Sequence, residues 1–207
     1  MTPLPQERLV AFRSRCSQYL SHGHDRLAAA RFVVDAAMEL SGPALDIGTG
    51  KGLLAIELAR RGLEVVTIDV DEQERELARL LASAAGVAGR ICFDTADAAG
   101  LPYADGSFGT VAMMDVLHHL EDSDRVLREM ARVVVPGGIA LIADFDERGF
   151  EIVSNVLREE GREHSRTSVT VSSVLEGMGA LGFGELSRVR GHQHEIAVLR
   201  RKERTEA

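Results

Sequence analysis

Short apolar runs alternate with longer amphipathic stretches along the middle of the chain. Ala44-Leu45-Asp46-Ile47 is an apolar run that ends in Gly-rich sequence, which predicts a buried strand entering a turn. Leu53, Leu54, Ile56, Leu58 and Ala59 follow as a helix-compatible run. Arg60 and Arg61 suit its last turn, and Gly62 a helix stop. Leu63 to Asp69 predicts a second strand. Asp71 and Glu74 read as a capping box opening a helix. Leu77, Leu80, Leu81 and Ala84 share one face of that helix, and Gly86 closes it. Arg90 to Asp94 and Gly109 to Met114 are the next strands. Ser123 caps a helix that turns Val126, Leu127 and Met130 inward. Pro136-Gly137-Gly138 ends that helix, and Ile139 to Ala143 is a fifth strand.

Such alternation predicts a parallel sheet with helices on both faces. The end of the chain differs. A helix near Ser172 to Leu181 leads into Gly184 to Val189 and, after a short polar turn, Glu195 to Leu199. Two strands that close can only run antiparallel. The expected fold is α/β: a doubly wound, Rossmann-like sheet of seven strands, mostly parallel, with its last strand reversed. The 207 residues suit one domain. Residues 1–40 are read as a helical cover, 41–145 as a ligand-binding half, and 146–207 as substrate-side helices and terminal strands.

Composition narrows the functions. The 45% hydrophobic and 27% charged content is ordinary globular usage. Apolar runs such as Ala28 to Val34 are far shorter than a membrane span, and the polar start Met1 to Val10 shows no secretory signal. The net charge is −8, with the acidic excess in the middle of the chain. That balance, with nine aromatic residues and no Trp, argues against a nucleic-acid surface. Cys16 and Cys92 stand far apart, outside any paired motif, so a reducing cytoplasm is expected rather than a disulfide framework.

The sharpest chemical signal is Asp46-Ile47-Gly48-Thr49-Gly50-Lys51-Gly52, between the first strand and first sheet helix. Its glycines permit positive φ and close approach of a ligand, and the helix N-terminus offers N–H groups to a negative group. A dinucleotide motif would place its third glycine at position 53, which is Leu53. The spacing is instead D-x-G-x-G-x-G. Asp69 ends strand two, where an acidic side chain accepts hydrogen bonds from two ribose hydroxyls in either nucleotide class. Val70 follows it. Asp97 and Ala98 follow strand three, and Asp115 ends strand four, where an open α/β sheet binds its ligand.

Those motifs resemble the class I S-adenosylmethionine-dependent methyltransferases. Asp97 to Phe108, Val111 to Leu120 (VAMMDVLHHL) and Glu129 to Gly138 (EMARVVVPGG) are similar to the subgroup that includes quinone-biosynthesis C-methyltransferases. The resemblance covers residues 44–145. It implies S-adenosyl-L-methionine as cofactor, with Asp46, Gly48, Thr49, Gly50, Gly52, Asp69, Val70, Asp97, Ala98 and Asp115 around it. Asp97 would meet the adenine amino group, the Ala98 N–H a ring nitrogen, and the Asp115 backbone the methionine part. Gly109 and Val135 depart from the family pattern, where Asp and Lys are common.

The implied reaction is in-line displacement, a nucleophile on a small-molecule acceptor attacking the cofactor methyl. His118 and His119 are the candidate proton acceptors. No metal site is expected, because the paired histidines lack the i, i+4 spacing of a helical zinc motif. The mixed run Arg158 to Arg166 reads as a solvated helix, with anion recognition through Arg162 or Arg166 as the alternative. No N/D-P-P-Y segment follows strand four, which disfavours DNA amino-methylation. A non-catalytic binder of the same cofactor and an NAD-dependent oxidoreductase are the rival functions. Oligomeric state is not legible in the sequence. Substrate is expected to enter over the carboxyl edge of the sheet, beneath a cover made by residues 1–40 and the segment Phe145 to Ser168.

Overall fold

The inner strands are continuous apolar runs whose side chains load both faces of the sheet, and helices bury both. The structure, a computed structural model, describes residues 5–203; the outermost four residues of the N-terminal cover and of the C-terminal segment lie outside it. Its strands are β1 (Ala44–Ile47), β2 (Val65–Ile68), β3 (Ile91–Asp94), β4 (Phe108–Met114), β5 (Val134–Phe145), β6 (Phe183–Gly191) and β7 (His194–Arg201). They form one sheet in the order β3-β2-β1-β4-β5-β7-β6. The pairs from β3 through β5 are parallel, whereas β7 runs antiparallel to both neighbours. The expected doubly wound sheet with a reversed last strand is therefore the fold. Strand order reverses between β1 and β4, and an open α/β sheet opens its ligand crevice at that point.

Seven helices surround the sheet: α1 (Pro5–Ser21), α2 (Arg26–Asp35), α3 (Leu53–Arg60), α4 (Glu72–Ala84), α5 (Ser123–Val133), α6 (Glu147–Glu159) and α7 (Val171–Ala180). Leu45, Ile47, Val111, Met113 and Ile142 face α5 and α7 in one core. Ala44, Ala112, Leu141 and Ile196 face α2 and α3 in the other. A third cluster, Tyr19 with Ile152, Val153 and Val156, packs α1 onto α6.

Several local expectations change. Ser123 does not cap α5; the Asp122 side chain accepts from the Arg125 N–H and Ser123 is the first helical residue. Asp71 caps α4 through the Gln73 N–H, but Glu74 closes no capping box. Its carboxylate takes the Lys51 ammonium at 2.6 Å, because a charged partner outcompetes a backbone N–H. Pro136-Gly137-Gly138 lies inside β5 rather than ahead of it. At Gly138 a Cβ would sit 2.8 Å from the Gly109 carbonyl oxygen, and at Gly109 one would sit 2.5 Å from Ser41 Oγ. The Gly109 departure thus reflects a close crossing of chains where the β4–β5 register shifts. Finally, α6 stops at Glu159, so the run Arg158 to Arg166 is split between a last helical turn and irregular chain. Among the described residues no helix is long and apolar enough to cross a membrane.

Candidate active site

The loop after β1 turns sharply because three of its residues are glycines with positive φ: Gly48 at 84°, Gly50 at 45° and Gly52 at 72°. Their reasons differ. A Cβ on Gly48 would strike Val116 at 2.4 Å, and one on Gly52 would meet Ala78 at 2.9 Å, so both serve packing. A Cβ on Gly50 would meet nothing within 4 Å, because that residue faces open space. Gly52 is the N-cap of α3, and no side chain caps that helix, so its first turn presents N–H groups to the loop.

The open space is a cleft of about 610 Å³ at the carboxyl ends of the strands. Gly48, Thr49, Gly50, Asp69, Val70, Asp97, Ala98, Asp115 and His119 all line it. Asp46, Gly52 and His118 stand behind its wall and are absent from the lining. His24 and Arg26, from the N-terminal stretch expected to cover the pocket, complete the wall.

Asp69 accepts from the Gly50 N–H through Oδ2 and from the Asp71 N–H through Oδ1, both at 2.9 Å. Each oxygen keeps a lone pair for a further donor. Asp97 accepts from the Ala99 N–H at 2.8 Å, so it shapes its turn while it lines the cleft. Asp46 is 1% exposed; Oδ2 accepts from the Thr67 hydroxyl at 2.7 Å and Oδ1 has no partner. Burial pushes its carboxyl up to about 7, against the Thr67 hydrogen bond. A cationic ligand in the cleft would favour its ionised form.

Asp115 adopts a left-handed φ of 61° and accepts from His194 Nε2 at 2.8 Å. The other His194 nitrogen faces the His192 carbonyl, also at 2.8 Å. With an acceptor at each nitrogen, the buried ring is held as imidazolium. Burial opposes that charge, but Asp115 outweighs it and raises the His194 pKa. For Asp115, burial pushes upward and the His194 cation pulls harder, so the carboxyl is lowered. The sequence reading weighed His194 only as half of a histidine pair unsuited to a metal and left it in the turn before the last strand, whereas it is the first residue of β7.

His118 is 2% exposed. Its Nδ1 donates to Asp144 Oδ1 at 2.7 Å, and its backbone N–H donates to Oδ2 at 3.0 Å. His119 turns into the cleft with its ring centre 4.0 Å from that of His118. Burial, then the neighbouring His118, lowers its pKa. A third ring, His164, lies against both, at 4.9 Å from His118 and 5.8 Å from His119. The irregular segment after α6 carries it there, pinned by the Thr167 N–H on the His118 carbonyl at 2.8 Å. The sequence reading weighed only histidines that are neighbours in sequence and did not bring this ring to the other two.

The residues fit a nucleoside-bearing cationic cofactor: an acidic ribose acceptor, an open glycine cradle, a helix N-terminus and an orphaned buried carboxylate oxygen. Comparison with known proteins agrees. Residues 45–142 match the family described as a methyltransferase domain. The 27-O-demethylrifamycin SV methyltransferase of Amycolatopsis mediterranei is 40% identical over 57% of this chain and 45% of its own length. The ubiquinone/menaquinone biosynthesis C-methyltransferase UbiE of Geotalea daltonii is 30% identical over 68% of this chain and 61% of its own. The chain thus spans about half the length of these curated relatives. Among solved structures, the [4+2]-cyclase SpnF shares the fold with a TM-score of 0.69, at 21% identity, over 86% of this chain and 82% of that one. The glycine loop, the acidic residue ending β2 and the matched segment agree on one family: residues 45–142 belong to the class I S-adenosylmethionine-dependent methyltransferases.

Proposed function

We propose that the chain binds S-adenosylmethionine in this cleft and directs its methyl group to a small-molecule acceptor. The observation that carries the reading is the gathering of Gly50, Asp69, Asp97, Ala98, Asp115 and His119 around one cavity. Bound there, the cofactor supplies an electrophilic methyl for in-line displacement. Asp69 accepts from the ribose hydroxyls, Asp97 and the Ala98 N–H receive the adenine edge, and Gly50 leaves room for the chain between them. Ile47, Leu53, Leu54, Val116 and Leu120 give the cleft apolar walls. Such walls exclude water where a sulfonium loses its charge.

His119 has the position of a general base, lining the cleft beside Asp115. His118, held by Asp144, is the positioning residue that packs against it. A base is useful where the acceptor loses a proton from oxygen or nitrogen, which favours a hydroxyl or amine. The relatives' names include an O- and a C-methyl transfer, so they leave the acceptor atom open. Acceptor entry beneath α1, α2 and the segment after β5 is part of the same proposal, supported by His24 and Arg26 in the cleft wall. The unpaired Cys16 and Cys92 suit a cytoplasmic setting.

The test is transfer of a labelled methyl group across a panel of hydroxyl and amine acceptors. Turnover should appear, and His119→Ala should lower it about 10²- to 10⁴-fold with cofactor affinity kept. One protein of this fold is named a [4+2]-cyclase rather than a methyltransferase, so the fold alone leaves room for a second reading, in which the cofactor is bound but not consumed. Tight cofactor binding with no label transfer across the panel would favour it.

A further inference from the structure

We propose that His118, His119 and His164 form a site for a divalent transition metal of the zinc class. One ring nitrogen from each lies within 4.8 Å of the others. The Nδ1 of His118 is engaged by Asp144, which leaves Nε2 as its ligating atom. A histidine whose second nitrogen donates to a buried carboxylate is the usual supported ligand of a metal centre, with tautomer and ring orientation fixed. His164 supplies an independent sign: its Nδ1 is buried and has no hydrogen-bond partner. An orphaned imidazole nitrogen beside two other imidazoles is costly without an ion or proton to satisfy it.

Tetrahedral zinc, with Zn–N near 2.0–2.1 Å, sets its nitrogens about 3.4 Å apart, so the rings need to close by about 1.4 Å. Two of them have that freedom. His119 is exposed and His164 sits in irregular chain, whereas His118 is the buried fixed point. Asp144 behind His118 offsets part of the ion's charge. Arg166, over Phe150 at 4.7 Å, is the nearby cation that opposes it. Three imidazoles leave a fourth position open for water or an acceptor heteroatom. The site stands on the three rings and does not require methyl transfer. At His119 the two roles exclude each other, since a metal takes the lone pair that would accept a proton.

The test titrates the full chain with Co²⁺, read by visible absorption, followed by displacement with Zn²⁺. One equivalent should give tetrahedral or five-coordinate bands. His164→Ala should weaken binding at least tenfold, while His164→Cys, which restores a ligand, should retain it. His22→Ala, in another histidine pair, should change nothing. Affinity for S-adenosylhomocysteine should be the same in wild type and His164→Ala. That separates loss of the metal site from misfolding and from failure of the methyl-transfer reading. Absence of the bands in wild type, or equal Co²⁺ affinity in the folded His164→Ala chain, overturns the proposal.

Discussion

Asp46 opens the glycine motif, yet its side chain points away from solvent, with one oxygen on Thr67 and the other on nothing. Its raised pKa has a thermodynamic consequence. Between the ordinary value of 3.8 and about 7, the unfolded chain has lost this proton and the folded chain keeps it. Stability is fully present below that window and falls as pH rises through it, by at most about 1.4 kcal/mol per pH unit. His194 acts in the same direction above its ordinary 6.5, because its folded pKa is also raised. Asp46→Asn cannot ionise but still accepts from Thr67. Its thermal unfolding midpoint should therefore drop less than that of wild type between about pH 5 and pH 7. Parallel slopes for the two proteins would contradict the burial argument. At this scale the sequence was legible where the cleft is lined by locally spaced residues, as at Gly48, Gly50 and Asp69. It could not say what His24, His164 and His194 would meet, because their partners lie far along the chain at Gln193, His118 and Asp115.

At the scale of elements, order and direction followed from the hydrophobic pattern, because each strand's apolar run and each helix's stripe are local. Boundaries did not. β5 extends back through Pro136-Gly137-Gly138 because close packing against Gly109 favours residues without a Cβ, which no propensity reveals. The helix α1 is the element whose role is most open to measurement. It bridges α4 and α6 through Arg8 with Glu76, Arg15 with Glu160, and Gln18 and His22 with Glu159. Surface pairs of this kind are each worth only about 0–1 kcal/mol, so most of what holds α1 in place is apolar burial. Its buried anchors are Phe12 and Tyr19, and the chain after it places His24 and Arg26 on the cleft. Adding S-adenosylhomocysteine should slow amide exchange in α1 and in residues 160–168, with little change in β6. Unchanged exchange in both segments would show that the cover lies elsewhere.

On the whole-molecule scale, the sheet order explains why so few residues could be read as a site. The reversal between β1 and β4 brings the ends of β1, β2, β3 and β4 to one crevice, so motifs scattered from Asp46 to Asp115 converge without any contact between them in sequence. The proposed acceptor side lacks that logic. It is built from α1, α2, the segment after α6 and the β6–β7 turn, joined by side-chain contacts between residues far apart in the chain. The central claim is that the crevice holds S-adenosylmethionine rather than a dinucleotide, and calorimetric titration tests it most directly. S-adenosylhomocysteine should bind wild type at one site per chain, NAD should give no binding heat, and Asp69→Ala should lower the S-adenosylhomocysteine affinity at least about tenfold by removing hydrogen bonds to a charged acceptor. Saturable NAD binding, or an unchanged S-adenosylhomocysteine affinity in a folded Asp69→Ala chain, would contradict the account.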